Sequence, residues 1–525
     1  MKRRSDGRAS SIVFNLRHRE LQHGSRPYGR HSSACTPTWN SSTMNPSQHV
    51  ELDAKRPLLQ TLRSDRQDVY MSHGDTYEHQ IPPFHVAFSE KRMHGTLLAV
   101  ADEEGWVSLF ATHDRKPRML PPHHQACDHE RPVSKFSAHQ NAIFDLIWCS
   151  DDAHIATASG DQHLSVWDVE TSAKLCHFEG HTMSVKCVRQ MPGNPNVFAS
   201  GSRDGNVFFW DTRHPYRAAG SSTSTLVQTF RPVESCLRCH DFYSPSSTST
   251  DRRKKRRTSI PNAQRSVTCV EFTGDGHELI SSGAVDGMVK FWDLRTLTSD
   301  NLKLTRSFSC LNPNGRRYGI SSLTLDHTKT KLLVSAASND IFLYDLLRFA
   351  STDPVATYHG HKNSSFYVKS GFSPDSNFIV SGSVDQNVYI WDVRADGGGA
   401  PAAVLRGHEG EVSSVAWCKA DFSKIASCSD DGTVRVWHMG RDQDADAAEG
   451  EASSCGRGCA LGRANPLPPL SSPAILHPST ASISPPAAAA SAGSANALDR
   501  SRGDRSWAEE CVYLVTKPGQ CCSSN

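Results

Sequence analysis

Apolar residues alternate with polar ones in short runs along much of this chain, and each run is stopped by Gly, Asp, Asn or Ser. That period of two predicts strands half-buried in a sheet. Five stretches read almost alike: SGDQHLSVWD (159–168), SGSRDGNVFFWD (200–211), SSGAVDGMVKFWD (281–293), SGSVDQNVYIWD (381–392) and SCSDDGTVRVWH (427–438). Each is a strand of small residues, a tight turn carrying an aspartate, and a second strand closing on tryptophan. The turn aspartates, Asp161, Asp204, Asp286, Asp385 and Asp431, all stand six residues before that tryptophan. Upstream of four of the stretches lies a Gly-His or Ala-His pair, at His139, His181, His361 and His408.

A unit repeated at this spacing is identified as the WD40 repeat, one blade of a β-propeller. Two degenerate units keep the period, Glu104 standing six before Phe110 and Ser338 six before Tyr344. The terminators then fall at 110, 167, 210, 292, 344, 391 and 437. The step from 210 to 292 is twice an ordinary unit of about 40 to 45 residues. Residues 214–264 are rich in Ser, Thr, Arg and Lys without alternating apolar positions, so they are read as an insertion rather than a hidden blade. The expected fold is all-β, a seven-bladed propeller over 57–440 with a long basic inter-blade insertion at 214–264. Disordered tails are expected at 1–50 and 441–525. An open ring would leave an unpaired strand edge, and PLLQTLR (57–63) is the expected closing strand of the seventh blade.

Composition narrows the class. The net charge is only +2 with pI near 7.9, which excludes a chain that wraps nucleic acid by bulk charge. No run approaches about 18 apolar residues, and the start MKRRSDGRASSIVFNLRHRE has no apolar leader core, so a soluble, non-secreted protein without membrane contact is expected. Of the 16 cysteines, Cys187, Cys269, Cys418 and Cys428 fall in predicted strands as small buried thiols. CLRCH (236–240) imitates a haem-attachment string and HHQACDH (123–129) a metal cluster, but neither has a second ligand pair at zinc spacing. No metal and no cofactor is expected.

The recurring Asp, His and Ser/Thr residues invite a hydrolase reading. A structural role fits better, because an active site needs one asymmetric arrangement and this one recurs blade after blade. No nucleophile elbow, P-loop or zincin helix is present, so catalytic residues are not nominated and the protein is not expected to be an enzyme.

Three blades extend past the tryptophan as W-D-x-R, giving Asp211 with Arg213, Asp293 with Arg295 and Asp392 with Arg394. Such an arginine leaves the end of the strand and can fork onto a carboxylate, either of a neighbouring blade or of a partner. The three copies resemble the docking motif of receptors that plug into the propeller-built adaptor of cullin-4 RING ubiquitin ligases. Read whole, NAIFDLIW (141–148), SSGAVDGMVKFWDLR (281–295), GHKNSSFYVKSGFSPD (360–375), WCKADFSKIASCSDDGTVRVW (417–437) and VFNLR (13–17) resemble the denticleless family. That resemblance implies a substrate receptor of the cullin-4 ligase, directing replication-coupled destruction of proteins bound to the sliding clamp on DNA. Its partners would be the ligase adaptor and protein substrates, with no sequence-specific nucleic-acid contact. The six W-D-x-R residues named above would meet the adaptor, Arg213 and Arg295 foremost.

The family pattern is not complete. No Gln-x-x-aliphatic-x-x-aromatic-aromatic clamp-binding string occurs, and the close CVYLVTKPGQCCSSN is unlike a domain end, the expectation being a truncated or alternatively spliced product. Within the insertion, Arg252, Arg253, Lys254, Lys255, Arg256 and Arg257 run side by side and predict nuclear import. The competing reading is a general WD40 scaffold in chromatin or signalling assemblies, its W-D-x-R arginines serving only as staples between blades.

Overall fold

The computed structural model describes residues 55–439, with breaks at 66–67, 74–79, 92, 113–131, 217–226, 241–264, 297–302, 311–316, 349–352 and 395–397, and a strand at 462–465. Seven blades form, each built on an antiparallel set of strands, as the repeat predicts. Their inner strands are Pro83–Phe88, Ile143–Trp148, Val185–Gln190, Val267–Phe272, Ile320–Leu325, Ser370–Phe372 and Val412–Trp417. Their third strands end at or just beyond the seven predicted terminators, at Ala111, Asp168, Asp211, Asp293, Asp345, Asp392 and Met439. The expected tails at 1–50 and 441–525 lie outside the described residues, except Gly462–Asn465, which is a strand.

Among the described residues six apolar clusters fill the seams between blades, one of them running through blades three, four and five. Phe136 and Trp167 meet between the first two blades, and Phe178, Phe208 and Trp210 between the next two. Phe291 with Tyr344, and Tyr358 with Trp391, fill the following seams. Phe378 packs with Trp417 and Trp437 between blades six and seven, while Phe88 and Phe110 pack with Cys418 and Val436 where blade seven meets blade one. Burial of this kind stabilises by about 25 cal/mol per Å² of apolar area.

The closing element differs from expectation. Residues 55–59 are a helical turn rather than a strand, and Leu59 and Leu62 sink into the seam of blades six and seven. Two short strands follow and pair with the last propeller strand, Leu62 facing Met439 and Val69 facing Arg435. The alternation in PLLQTLR is that of a helical turn with Leu59 as its anchor, and the strand register begins three residues later than the apolar run. Residues 462–465 then bridge this segment to Val404–Arg406 of blade six, so blades six and seven share one continuous sheet.

The insertion is also shorter than predicted. Gln228–Phe230 adds to blade two as a parallel fifth strand, and Glu234–Cys236 is the outer strand of blade three. Only 241–264 separates blade three from blade four, and the basic run 252–257 lies outside the described residues.

Candidate functional site: the two faces of the ring

Antiparallel pairing puts every turn aspartate and every histidine loop on one face of the ring, and every third-strand terminus on the other. On the turn face, blades two, three, four and seven carry the same buried network. His181 joins Asp204 at 2.9 Å and Ser200 at 2.8 Å, and the Trp210 indole donates to the same Ser200 hydroxyl at 2.9 Å. His139, Thr157, Asp161 and Trp167 repeat it, as do His408, Ser427, Asp431 and Trp437. Burial alone would raise the Asp161 carboxyl, but the His139 side chain and the His163 N–H together outweigh it and hold the group down to about 2.

Blade four completes its network with a residue that sequence reasoning set aside. His240, from CLRCH, meets Asp286 at 2.8 Å and Ser281 at 2.9 Å, and Trp292 donates to that serine at 2.8 Å. The 24 residues between His240 and Arg265 hid it, because they break the constant spacing from histidine to tryptophan. CLRCH is therefore structural but not a passive loop, Cys236 and Cys239 being buried thiols beside it.

Blade six departs from the expected pattern. Asp385 accepts instead from the Tyr389 hydroxyl at 2.6 Å and from Asn387, and both ring nitrogens of His361 are buried without a hydrogen bond. The Trp391 indole turns to the His359 carbonyl at 3.0 Å. A tyrosine four residues past the turn reaches back to the carboxylate, which displaces the histidine.

The inner strands bring together groups that no repeat pattern predicts. Six of the seven bulge near their start, the register shifting around Phe84, Phe144, Lys186, Thr268, Ser321 and Ser413. A bulge re-aims a side chain. Phe84, Phe144 and Tyr367 stack at 5.4 to 5.9 Å between centroids, and the Lys186 ammonium lies 3.3 Å from the centre of the Phe144 ring. Next to them along the strands, the fully buried Asp145 receives Arg189 at 2.6 Å and Lys369 at 3.1 Å, with His85 at 3.5 Å. Arg189 extends the chain of charge to Glu271, so four blades share one ionic cluster and His85 of a fifth lies against it. Burial, reinforced by Lys369, lowers His85 to about 3. The sequence signal was a single aspartate inside the apolar strand IFDLIW.

On the opposite face, the three W-D-x-R arginines adopt one geometry. Arg213 forks onto Asp211 with Nε at 2.9 Å and Nη2 at 2.6 Å, and its own backbone N–H donates to the same carboxylate. Arg295 and Arg394 repeat the fork on Asp293 and Asp392 within 3.2 Å. Each fork closes inside its own motif rather than between blades. The Arg295 side chain is 62% exposed, Arg213 39% and Arg394 21%, and Asp392 is shared with Arg56 of the N-terminal turn. Blade five supplies a variant the pattern missed, Arg348 reaching Asp345 at 3.3 Å one residue later in the motif, beside the exposed Leu347 and Val355.

Among the described residues no group of three or more His, Cys, Asp or Glu is placed to hold a metal ion, and no helix is long and apolar enough to cross a membrane. HHQACDH at 123–129 lies outside them.

Comparison with known proteins agrees with this architecture. The model described as "WD domain, G-beta repeat" matches residues 130–168, 172–211, 254–293, 352–392 and 399–438, which are the five units whose turn carries an aspartate six before tryptophan. The chain is 38% identical to the Denticleless protein homolog of Danio rerio over 413 residues, 77% of this chain. The chain belongs to the Denticleless family. The homolog of Homo sapiens is 36% identical over 73% of this chain, and the protein lethal(2)denticleless of Drosophila melanogaster 33% over 72%. The matched region spans only 58%, 50% and 47% of these three relatives, so this Denticleless chain covers about half of their length.

Proposed function

We propose that this chain is a non-catalytic substrate receptor of a cullin-4 RING ubiquitin ligase. The observation that carries the reading is the set of matched Asp–Arg forks on one face, at Asp211 with Arg213, Asp293 with Arg295 and Asp392 with Arg394. Membership of the Denticleless family supports it. A fork held by its own aspartate presents a pre-oriented guanidinium, so a partner's carbonyl or carboxylate is met with little loss of side-chain freedom. Arg295 and Arg213 are the more exposed pair and would meet the adaptor first, whereas Arg394 is 21% exposed and shares its aspartate with Arg56.

A receptor that docks by one face leaves the other for its protein substrates, including those held on a sliding clamp. Its mechanism is proximity: a lysine-bearing substrate is kept near charged ubiquitin, and transfer chemistry comes from elsewhere in the ligase. Nuclear residence belongs to the same proposal, driven by Arg252 to Arg257. A tagged chain with those six residues changed to alanine is expected to lose nuclear concentration, and unchanged nuclear signal would place the address elsewhere.

The other reading is a general scaffold for chromatin or signalling assemblies. Affinity purification with mass spectrometry separates the two, since recovery of the cullin-4 adaptor supports the receptor and its absence supports the scaffold.

A further inference from the structure

At one register of the inner strands, the side chain of each blade reaches the blade that follows. His85 of blade one meets Asp145 of blade two at 3.5 Å, and Asp145 accepts the Val188 N–H of blade three at 3.0 Å. Further round, the Ser322 hydroxyl of blade five lies 3.3 Å from that of Ser370 in blade six, and the Ser414 hydroxyl of blade seven accepts the Val86 N–H of blade one at 3.4 Å. His85, Asp145, Ser322 and Ser414 each stand just past the bulge of their strand. In blades three and four that position is held by Cys187 and Cys269.

The same reach carries the Cys187 thiol to blade four. Gly201, its partner across the hairpin, leaves the room: a Cβ there would stand 2.9 Å from the Cys187 Sγ and 2.7 Å from Cγ1 of Val267 in blade four. The Cys187 thiol donates to the Cys269 sulfur, and the Cys269 Sγ continues the chain to the Leu323 carbonyl of blade five at 3.8 Å. Both cysteines are free, buried thiols of one apolar cluster. Their chemistry differs. The hydrogen bond from Cys187, helped by the Arg189 guanidinium, holds the Cys269 thiol below its ordinary range, while burial pushes Cys187 well up. Cys269 is also the more open of the two, at 6% exposure against 1%. A thiolate is the nucleophile towards oxidants, and a neighbouring thiol that traps its oxidised form makes the reaction reversible.

We propose that Cys187 and Cys269 are a peroxide-oxidised thiol pair whose disulfide ties blade three to blade four. The Cys269 thiolate attacks one oxygen of hydrogen peroxide, forming an S–O bond as the O–O bond breaks, and the departing hydroxide takes up the proton that Cys269 released. The Cys187 thiol then attacks the sulfenic sulfur; the S–S bond forms, and the hydroxyl leaves with the Cys187 proton as water. Two thiols lose two electrons in all, and one peroxide becomes two waters. A dithiol reductant returns both electrons. The blades so joined are those that carry Arg213 and Arg295 at the other face, but the oxidation does not rest on the receptor reading and is measured without adaptor.

The test treats the full, reduced chain with hydrogen peroxide under native conditions, blocks the remaining thiols with N-ethylmaleimide, and digests with trypsin. Cleavage after Lys186, Arg189, Arg265 and Lys290 puts each cysteine alone in its peptide, so the link appears in the mass spectrum as 187–189 joined to 266–290. That species is expected after peroxide and should vanish after dithiothreitol. Single variants give the order of events. Cys187→Ser, or Cys187→Ala if the serine variant does not fold, should leave Cys269 as a sulfenic acid that dimedone labels; Cys269→Ser should leave Cys187 labelled at least tenfold less. Mapping of the unaltered chain decides even where no variant folds. The oxidised chain should also melt at a higher temperature than the reduced one, a difference that Cys187→Ser abolishes. Full alkylation of both cysteines after native oxidation, a link that forms only in urea, or dimedone on Cys187 in preference to Cys269 would overturn the proposal.

Discussion

The carboxylate of Asp211 is buried to 1% exposure and receives both the backbone N–H and the two-pronged guanidinium of Arg213, two residues on. Burial pushes that carboxyl up, but the Arg213 hydrogen bonds outweigh it and hold the group below the ordinary aspartate range. The aspartate thus fixes the arginine rather than the reverse, and the same relation holds in blades four and six. A side chain fixed in this way is pre-oriented for a partner, and its removal is not equivalent to removing a staple between blades.

The turn network predicts unequal aspartates. Asp204→Ala orphans the His181 ring and two backbone donors, and should cost roughly 1 to 3 kcal/mol. Asp385→Ala releases no histidine, since Asp385 serves Tyr389 and Asn387, and should cost less. Urea midpoints of the two purified variants decide; equal losses would mean that the histidine link adds nothing.

Charge at the centre of the ring gives a second prediction. Asp145→Asn leaves Arg189 and Lys369 without their shared carboxylate in a buried site, which typically costs about 3 to 5 kcal/mol. Chemical denaturation measures this directly. A loss near zero would show that solvent or Glu271 already balances the two cations.

Acid should loosen the fold through its buried histidines. His361 has no hydrogen-bond partner at either nitrogen, and burial lowers it to about 4. An unfolded histidine titrates near 6.5, so below that pH the unfolded chain takes up a proton that the fold refuses. The stabilising contribution is therefore complete above about pH 6.5 and is lost as pH falls towards 4, at about 1.4 kcal/mol per unit. By pH 5 the loss is roughly 2 kcal/mol. His361→Phe should reduce the fall in melting temperature between pH 7 and pH 5, His85, His240 and His408 still contributing in the same direction. An identical fall in both proteins would remove His361 from the account.

The propeller was legible because its signal is local and repeated. Asp, turn and Trp lie within one hairpin, so Asp204 and Trp210 identify a blade without knowledge of any other. What the sequence hid is what the chain supplies from a distance. His240 reaches Asp286 across 46 residues, and Lys369 reaches Asp145 across 224. The apolar alternation at 57–63 was read as a strand, but Leu59 packs from a helical turn, a difference that a short run cannot reveal. At the candidate adaptor face the sequence named Arg213, Arg295 and Arg394, while their forks onto their own aspartates and the ion pair of Arg56 with Asp392 needed coordinates.

The receptor account is tested most directly at Arg295. It is the most exposed of the three forked arginines, and its buried partner Asp293 keeps the backbone N–H of residue 295 when the side chain is removed, so Arg295→Ala should leave the melting temperature little changed. Losing one partner of a charge-paired interfacial contact typically costs about 2 to 5 kcal/mol, and each 1.4 kcal/mol or so is tenfold in affinity. Affinity of the purified chain for the cullin-4 adaptor, measured by calorimetry beside a thermal melt of the same preparation, should fall roughly 30-fold or more in Arg295→Ala and further when Arg213→Ala is added. An unchanged affinity, with or without a lowered melting temperature, would contradict docking through these arginines.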